Sequence, residues 1–217
     1  YVGTEDCLYL DISAPYKKKS NLLPVMFWIH GGGNTSGLKD LYDFNKMVRK
    51  HDVIVVRANY RLGPFGWFYH PSIQEYQTGL DKTSNFGTLD IIAALEWVKN
   101  NISLFGGDPN NVTIFGESAG GHNVLSLLVT NQSQGLFHKA ISMSGYTTSI
   151  DQNDAYVQEK KSSTSTYTSS KIVKKIIEDS ENPSAQLSNE EIRNLLLSLS
   201  TEEFFKYYTD RKTYEEI

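Results

Sequence analysis

A serine stands between two glycines in the order Gly-Glu-Ser-Ala-Gly at residues 116–120. The apolar residues 112–115 before it predict a strand, and the residues after it, with Val124 and Leu128 at helical spacing, predict a helix. A serine on such a sharp strand-to-helix turn has its hydroxyl held clear of the sheet edge, with the helix N-terminus behind it. The pattern indicates nucleophilic chemistry, with Ser118 as the nucleophile.

A second segment with chemical potential is His30-Gly31-Gly32-Gly33, which follows the wholly apolar residues 25–29. Three consecutive glycines at a strand end are costly in backbone entropy unless the backbone must approach something closely. In serine hydrolases of the α/β-hydrolase type, the loop at this place contributes a backbone N–H group to the oxyanion hole. A flexible turn is the alternative, and the serine turn in the same chain favours the oxyanion hole.

Both segments require a sheet that brings them to one edge, and the apolar patterns of the chain predict one. Strands are predicted at residues 7–12, 25–29, 53–56, 112–115 and 140–145. Helices are predicted at residues 40–50 and 90–100 and directly after Ser118, while residues 105–110 are predicted to be a turn and the polar, glycine-rich stretch to residue 85 to be irregular. The alternation of strands and helices predicts an α/β fold with a mainly parallel sheet and helices on both faces.

The character of the chain changes near residue 150. We expect residues 1–150 to form the sheet core and residues 151–217 to form a helical, lid-like segment of the same domain. Residues 161–170 predict a flexible loop, and three amphipathic helices are predicted at 171–179, 189–199 and 202–208. The Ser-x-x-Glu pattern predicts capping boxes, which pair Ser188 with Glu191 and Ser200 with Glu203.

Composition excludes several classes of function. The net charge is −4, the negative excess lies after residue 150, and the short basic run at residues 17–19 is predicted to be a solvated loop, so nucleic-acid binding is disfavoured. The single cysteine, Cys7, provides neither an internal disulfide nor a cysteine-based metal site. No apolar run approaches the roughly 18 residues that a membrane span requires.

Taken together, these segments resemble the type-B carboxylesterase family, which includes the cholinesterases. The matching motifs stand in the family's order over roughly residues 1–147; they are Glu5 to Leu10, His30 to Gly33, Asn59 to Gly63, Asn85 to Gly87 with Leu89 and Asp90, Phe105 to Gly121, Gly135 to Phe137, and Ser144 with Gly145. The resemblance implies the α/β-hydrolase fold, a small carboxylic ester as substrate, and no metal or organic cofactor. It implies secretion only as a family expectation, and the oligomeric state stays open.

The resemblance also implies roles for individual residues. Ser118 is expected to attack the ester carbonyl, and the oxyanion is expected to be bound by backbone N–H groups of Gly32, Gly33 and Ala119. Glu117 is expected to tune the electrostatics of the site, and Ser144 to be a hydrogen-bonding residue close to the catalytic acid. Arg61 and Asp90 are expected to form a structural ion pair near the site. Asn34 departs from the family, which often has an aromatic residue after the glycines.

The sequence provides no evident base for Ser118. Family members place an acid and then a histidine after the serine. We expect His30 to be architectural, His122 to be a packed or partly exposed helix residue, and the remaining histidines, His51, His70 and His138, to be surface residues. The chain is therefore expected to be an internal piece of a longer esterase, incomplete at both ends and inactive alone. The alternative is a cholinesterase-like adhesion or binding domain without catalysis, although such domains usually lack the serine that this chain retains.

Overall fold

A computed structural model describes residues 3–16, 20–157, 168–180 and 186–209. The basic run at residues 17–19 and most of the loop predicted at 161–170 lie outside these described residues. The chain divides into two compact units, of which the first comprises residues 1–66 and 86–148 and the second comprises residues 67–85 and 149–217.

All strands of the described residues lie in the first unit, and the second unit contains the short helix Pro71–Gln74 and the last four α-helices. In chain order they are β1 (Leu10–Ser13), β2 (Leu23–Ile29), α1 (Asn45–His51), β3 (Ile54–Ala58), α2 (Gly63–Gly66), α3 (Pro71–Gln74), α4 (Phe86–Asn101), β4 (Gly107–Glu117), α5 (Ala119–Val129), β5 (Lys139–Met143), α6 (Gln152–Val157), α7 (Ser169–Glu178), α8 (Asn189–Ser198) and α9 (Thr201–Thr209).

The five strands form one sheet in the order β1-β3-β2-β4-β5. β1 runs antiparallel to β3, and every other neighbouring pair is parallel. In the register, Ile29 of β2 pairs with Gly116 of β4, so the two strands end at the same level of the sheet. The mainly parallel α/β sheet predicted from the sequence is confirmed, and it brings the glycine loop and the serine turn to one edge.

Helices cover both faces of the sheet because its central strands are apolar on both sides. On one face, Trp28 and Phe115 pack with Val48 of α1, and the Trp28 and Phe115 ring centroids lie 4.9 Å apart. On the other face, Phe27 and Ile114 are fully buried, and α5 packs against β4. No helix in the described part of the chain is long and apolar enough to cross a membrane.

Element boundaries differ from the sequence prediction at several places. β4 begins at Gly107, inside the segment 105–110 predicted as a turn. The chain already turns at Gly106, which adopts the left-handed conformation with φ 85°, so the strand can begin at the next residue. The stretch to residue 85, predicted to be irregular, contains the short helices α2 and α3. The predicted capping boxes are confirmed, since Ser188 and Glu191, and likewise Ser200 and Glu203, exchange hydrogen bonds between side chain and backbone.

The prediction of a surface position for His70 is wrong. Its side chain caps the N-terminus of α3, where Nδ1 accepts a hydrogen bond from the backbone N–H of Ser72. The rings of Phe68 and Tyr156, also in the second unit, lie against the imidazole, and the residue is only 4% exposed. Burial lowers the pKa of His70 to about 4.

Candidate active site

Ser118 lies between the end of β4 and the start of α5, in a backbone conformation that serine rarely adopts. Its φ is 56° and its ψ is −120°. Such dihedral angles cost on the order of 1–3 kcal/mol in a non-glycine residue, and they persist only when the surroundings enforce them. Here the N–H of Ser118 donates to the carbonyl oxygen of Met143 at 2.8 Å, and its C=O accepts from the N–H of His122 at 2.9 Å.

The turn is tight because the backbones of β2, β4 and α5 approach one another without side chains between them. A Cβ atom on Gly116 would lie 2.5 Å from the carbonyl carbon of Gly120 and 2.7 Å from the carbonyl oxygen of Ile29. A Cβ atom on Gly120 would lie 2.9 Å from the carbonyl oxygen of His30, and closer still to that of Ile29. Only glycine fits at either position, which explains the Gly-x-Ser-x-Gly spacing in steric terms.

The glycine loop runs directly alongside the serine. A Cβ atom added to Gly31 would lie 3.4 Å from Cβ of Ser118 and 3.2 Å from Oε2 of Glu117. The loop therefore borders the nucleophile, with no side chain of its own in the way.

Two hydrogen bonds fix the orientation of the loop's peptide planes. Nδ1 of His30 lies 2.8 Å from the carbonyl oxygen of Gly31 and donates to it in the neutral tautomer, since burial lowers the pKa of this imidazole. The carbonyl oxygen of Gly32 accepts from the N–H of Ser36 at 3.0 Å. Because C=O and N–H point in opposite directions across a trans peptide, these bonds direct the N–H groups of Gly32 and Gly33 away from His30 and Ser36.

The three backbone N–H groups expected to form the oxyanion hole are available for a ligand. Those of Gly32, Gly33 and Ala119 donate no hydrogen bond to any described residue. Ala119 is the first residue of α5, and the first N–H groups of a helix have no intrahelical partner. The helix N-terminus also carries a partial positive charge that favours an anion.

A buried polar cluster surrounds the two ends of the loop, and the sequence patterns alone do not reveal it. The hydroxyl of Tyr60 donates to the carbonyl oxygen of His30 at 2.6 Å, and Nδ2 of Asn123 donates to Oδ1 of Asn34 at 2.9 Å. Asn123 is 2% exposed on the face of α5 that also buries Val124 and Leu127. An asparagine at a core-facing helix position is the one signal that could have predicted a buried hydrogen-bond partner.

The other residues predicted for the site are Glu117, Ser144, Arg61 and Asp90. Glu117 is exposed, and Ser144 is exposed with φ 52° just after β5. Arg61 and Asp90 form a bidentate ion pair, in which Nε and Nη2 of Arg61 donate to the two carboxylate oxygens at 2.9 and 2.8 Å. The backbone N–H of Arg61 adds a third bond to the same carboxylate at 2.9 Å.

All five histidines lie in the described part of the chain, and none hydrogen-bonds to Oγ of Ser118. His30 binds Gly31, His122 stacks on Tyr146 and contacts its carbonyl oxygen, and His138 contacts the N–H of Val112. His70 belongs to the second unit, and His51 is exposed at the end of α1. The arrangement offers a nucleophile and an anion site without a base in contact.

Comparison with known proteins adds a family to this geometry. Residues 2–215 match the model described as "Carboxylesterase family". The chain is similar to para-nitrobenzyl esterase of Bacillus subtilis (strain 168), with 48% identity over 154 residues, covering 70% of the chain and 30% of that relative. It is also similar to human cocaine esterase, with 51% identity over 145 residues, covering 65% of the chain and 24% of that relative.

Among solved structures, the chain resembles a thermophilic PNB esterase with a TM-score of 0.76 and 36% identity, covering 99% of the chain and 39% of that structure. The chain thus spans between a quarter and two fifths of the length of these relatives.

Proposed function

Because this chain belongs to the carboxylesterase family, we propose that Ser118 is the nucleophile of a carboxylic ester hydrolase that works through an acyl-enzyme. The observation that carries this function is the strained backbone of Ser118, with φ 56° and ψ −120°, beside three backbone N–H groups without partners among the described residues. The activity belongs to the natural full-length protein, since the chain covers only 24–39% of its relatives.

The reaction follows from the atoms at the site. Oγ of Ser118 attacks the carbonyl carbon of the ester while a base takes its proton, and the carbonyl oxygen becomes an oxyanion. The N–H groups of Gly32, Gly33 and Ala119 stabilise that charge, which is where such donors contribute most to the rate. The C–O bond then breaks, the alcohol leaves with the proton, and water releases the acid from Ser118 by the same steps.

The base and its acid partner are proposed to lie outside residues 1–217. This agrees with the absence of any hydrogen bond between Oγ of Ser118 and the side chains of the five histidines, all of which the structure describes, and with the family order of serine, acid and histidine. The 217-residue chain alone is then expected to hydrolyse esters far more slowly than the natural protein. Glu117 is proposed to act on the site through its charge, and Ser144 through hydrogen bonding near the acid.

Small carboxylic esters are the proposed substrates. The relatives are named for para-nitrobenzyl esters and for cocaine, and a para-nitrobenzyl ester is the natural first assay substrate. The alternative, a binding or adhesion domain without catalysis, is disfavoured because strain of roughly 1–3 kcal/mol at a serine offers a binding protein no benefit.

A fluorophosphonate probe tests the function directly. The natural protein is incubated with the probe, digested and mapped by mass spectrometry, with Ser118→Ala as the control. We expect labelling at Ser118 and none in the variant, together with hydrolysis of a para-nitrobenzyl ester by the natural protein only. Labelling confined to other serines, or an unlabelled natural protein without esterase activity, would refute the function.

A further inference from the structure

We propose that Asn123, together with Tyr60 and Asn34, positions the oxyanion loop by holding both of its ends against the helix that follows the nucleophile. We call these three side chains the loop anchor. This role depends on the proposed ester hydrolysis. None of the three touches the substrate in the proposed reaction, so they are positioning residues.

The first end of the loop is held by Tyr60. Its hydroxyl donates to the carbonyl oxygen of His30 at 2.6 Å, and its ring stacks on the imidazole of His30 with centroids 4.4 Å apart. The hydroxyl also lies 3.4 Å from Oδ1 of Asn34, but a phenol has one proton, and the shorter contact uses it. Burial raises the pKa of Tyr60, so the hydroxyl keeps that proton.

The second end is held by the pair Asn34 and Asn123. Nδ2 of Asn123 donates to Oδ1 of Asn34 at 2.9 Å, and Nδ2 of Asn34 lies 3.4 Å from Oδ1 of Asn123 in the reciprocal direction. Asn34 has φ 59°, and its carbonyl oxygen accepts from the N–H of Gly63 at 2.7 Å. Side chain and backbone therefore both hold this residue in place.

Only the three glycines 31–33 lie between the two ends, and two of them carry proposed oxyanion donors. A glycine restricts its own backbone less than any other residue does. The positions of these N–H groups must therefore be fixed by the contacts that hold the two ends of the loop. Asn123 stands one turn beyond Ala119 on the same helix α5. Its bond to Asn34 therefore fixes the position of the loop donors relative to the N–H of Ala119 on the helix. A misplacement of about 1 Å can reduce a rate by about 100-fold.

The burial of Asn123 supports a specific role. A carboxamide that is 2% exposed costs free energy unless it is hydrogen-bonded, and this one points at the loop and not along its own helix. Ser126 offers a contrast one turn further on, because the only hydrogen bond of its hydroxyl to a described residue goes to the carbonyl oxygen of His122 within α5.

The test compares variants of the natural full-length protein in ester hydrolysis. Asn123→Ala removes the carboxamide and keeps a residue that favours the helix. Asn34→Gly removes the other carboxamide and introduces no strain at this positive φ. We expect each to lower kcat by about 10- to 100-fold with KM within about twofold. The double variant should be no slower than the slower single one, since the pair acts as a unit. Ser126→Ala is the matched control and should retain kcat.

A second readout separates positioning from general stability. A trifluoromethyl ketone forms an oxyanion on the serine, and its affinity for Asn123→Ala should fall by about the same factor as kcat does. The melting temperatures of Asn123→Ala and Ser126→Ala are compared in parallel. An active natural protein whose Asn123→Ala variant keeps kcat and inhibitor affinity overturns the anchor role alone. A natural protein without hydrolysis or labelling of Ser118 overturns the proposed function and, with it, this role.

Discussion

The backbone N–H of Ser118 donates a 2.8 Å hydrogen bond to the carbonyl oxygen of Met143, the last residue of β5. This bond ties the turn after β4 to the neighbouring strand and helps to hold Ser118 at its unusual dihedral angles. It also occupies the amide of the serine itself. Donors for an oxyanion must therefore come from Ala119 and from the glycine loop, which agrees with the groups proposed above.

The strain at Ser118 predicts a difference between two inactive variants. Ser118→Ala and Ser118→Gly both remove the hydroxyl, but only glycine adopts φ 56° and ψ −120° without a steric penalty. After allowance for the greater entropy of glycine in the unfolded chain, we expect Ser118→Gly to be more stable than Ser118→Ala by about 1 kcal/mol. Urea unfolding measures the difference. Equal stability of the two variants would show that the turn is not strained.

The close approach at Gly120 predicts a steric effect that exceeds the ordinary cost of replacing glycine. In Gly120→Ala the new methyl group meets the carbonyl oxygens of Ile29 and His30. We expect a loss of about 3 kcal/mol or more in the free energy of unfolding and the loss of Ser118 labelling by a fluorophosphonate.

Gly106→Ala is the control for this prediction. Gly106 has φ 85° but nothing within 4 Å of an added Cβ. The substitution should cost only about 1–2 kcal/mol of left-handed strain and should preserve labelling. A Gly120→Ala variant as stable and as reactive as Gly106→Ala would contradict the packing described for the turn.

The sheet and the serine turn could be predicted from the sequence because their signals are local. The apolar runs that became β2 and β3, and the strand–Gly-x-Ser-x-Gly–helix order around Ser118, each specify structure within a few residues. The boundary of β4 could not be placed well, since it depends on the backbone conformation of a single glycine, Gly106.

Buried polar residues were harder to predict because their partners are distant in sequence. His70 was expected at the surface, but it is buried against the ring of Tyr156, which lies far along the chain in α6. Asn123 pairs with Asn34 across a separation of 89 residues. Sequence patterns report which positions face the core, but they do not report which distant group satisfies a polar side chain there.

The ion pair of Arg61 and Asp90 predicts a substantial loss of stability on truncation. Asp90 has a side chain that is 7% exposed, and it accepts three hydrogen bonds from Arg61. Asp90→Ala removes the buried carboxylate that accepts from the backbone N–H of Arg61, although the guanidinium, 37% exposed, can still reach water. We expect a loss of about 2 kcal/mol in urea unfolding.

Asp90→Asn and Glu178→Ala serve as comparisons. Asp90→Asn keeps an acceptor for that N–H and should lose less than Asp90→Ala. Glu178 pairs with Lys174, whose side chain is 78% exposed, so Glu178→Ala should change stability by less than about 0.5 kcal/mol. A similar small effect from Asp90→Ala would mean that the carboxylate does not hold the end of β3 to α4.

The buried imidazole of His70 predicts a pH dependence of stability with a defined sign. Its pKa is about 4 in the folded protein, against 6.5 for an unburied histidine. Between these values the unfolded chain binds a proton that the folded chain does not, so stability is full above about pH 6.5, falls as the pH decreases towards 4, and loses nothing further from this group below that. Each pKa unit corresponds to 1.36 kcal/mol, which makes the total loss about 3 kcal/mol.

His70→Asn isolates this contribution, because asparagine is also a good helix N-cap and does not titrate. The measurement is the free energy of unfolding of the natural protein minus that of the variant, at pH 7 and at pH 4. We expect this difference to decrease by about 3 kcal/mol over that interval. If the difference for His70→Asn is the same at both pH values, His70 binds its proton in the folded protein as readily as in the unfolded chain, and its imidazole cannot be buried as described.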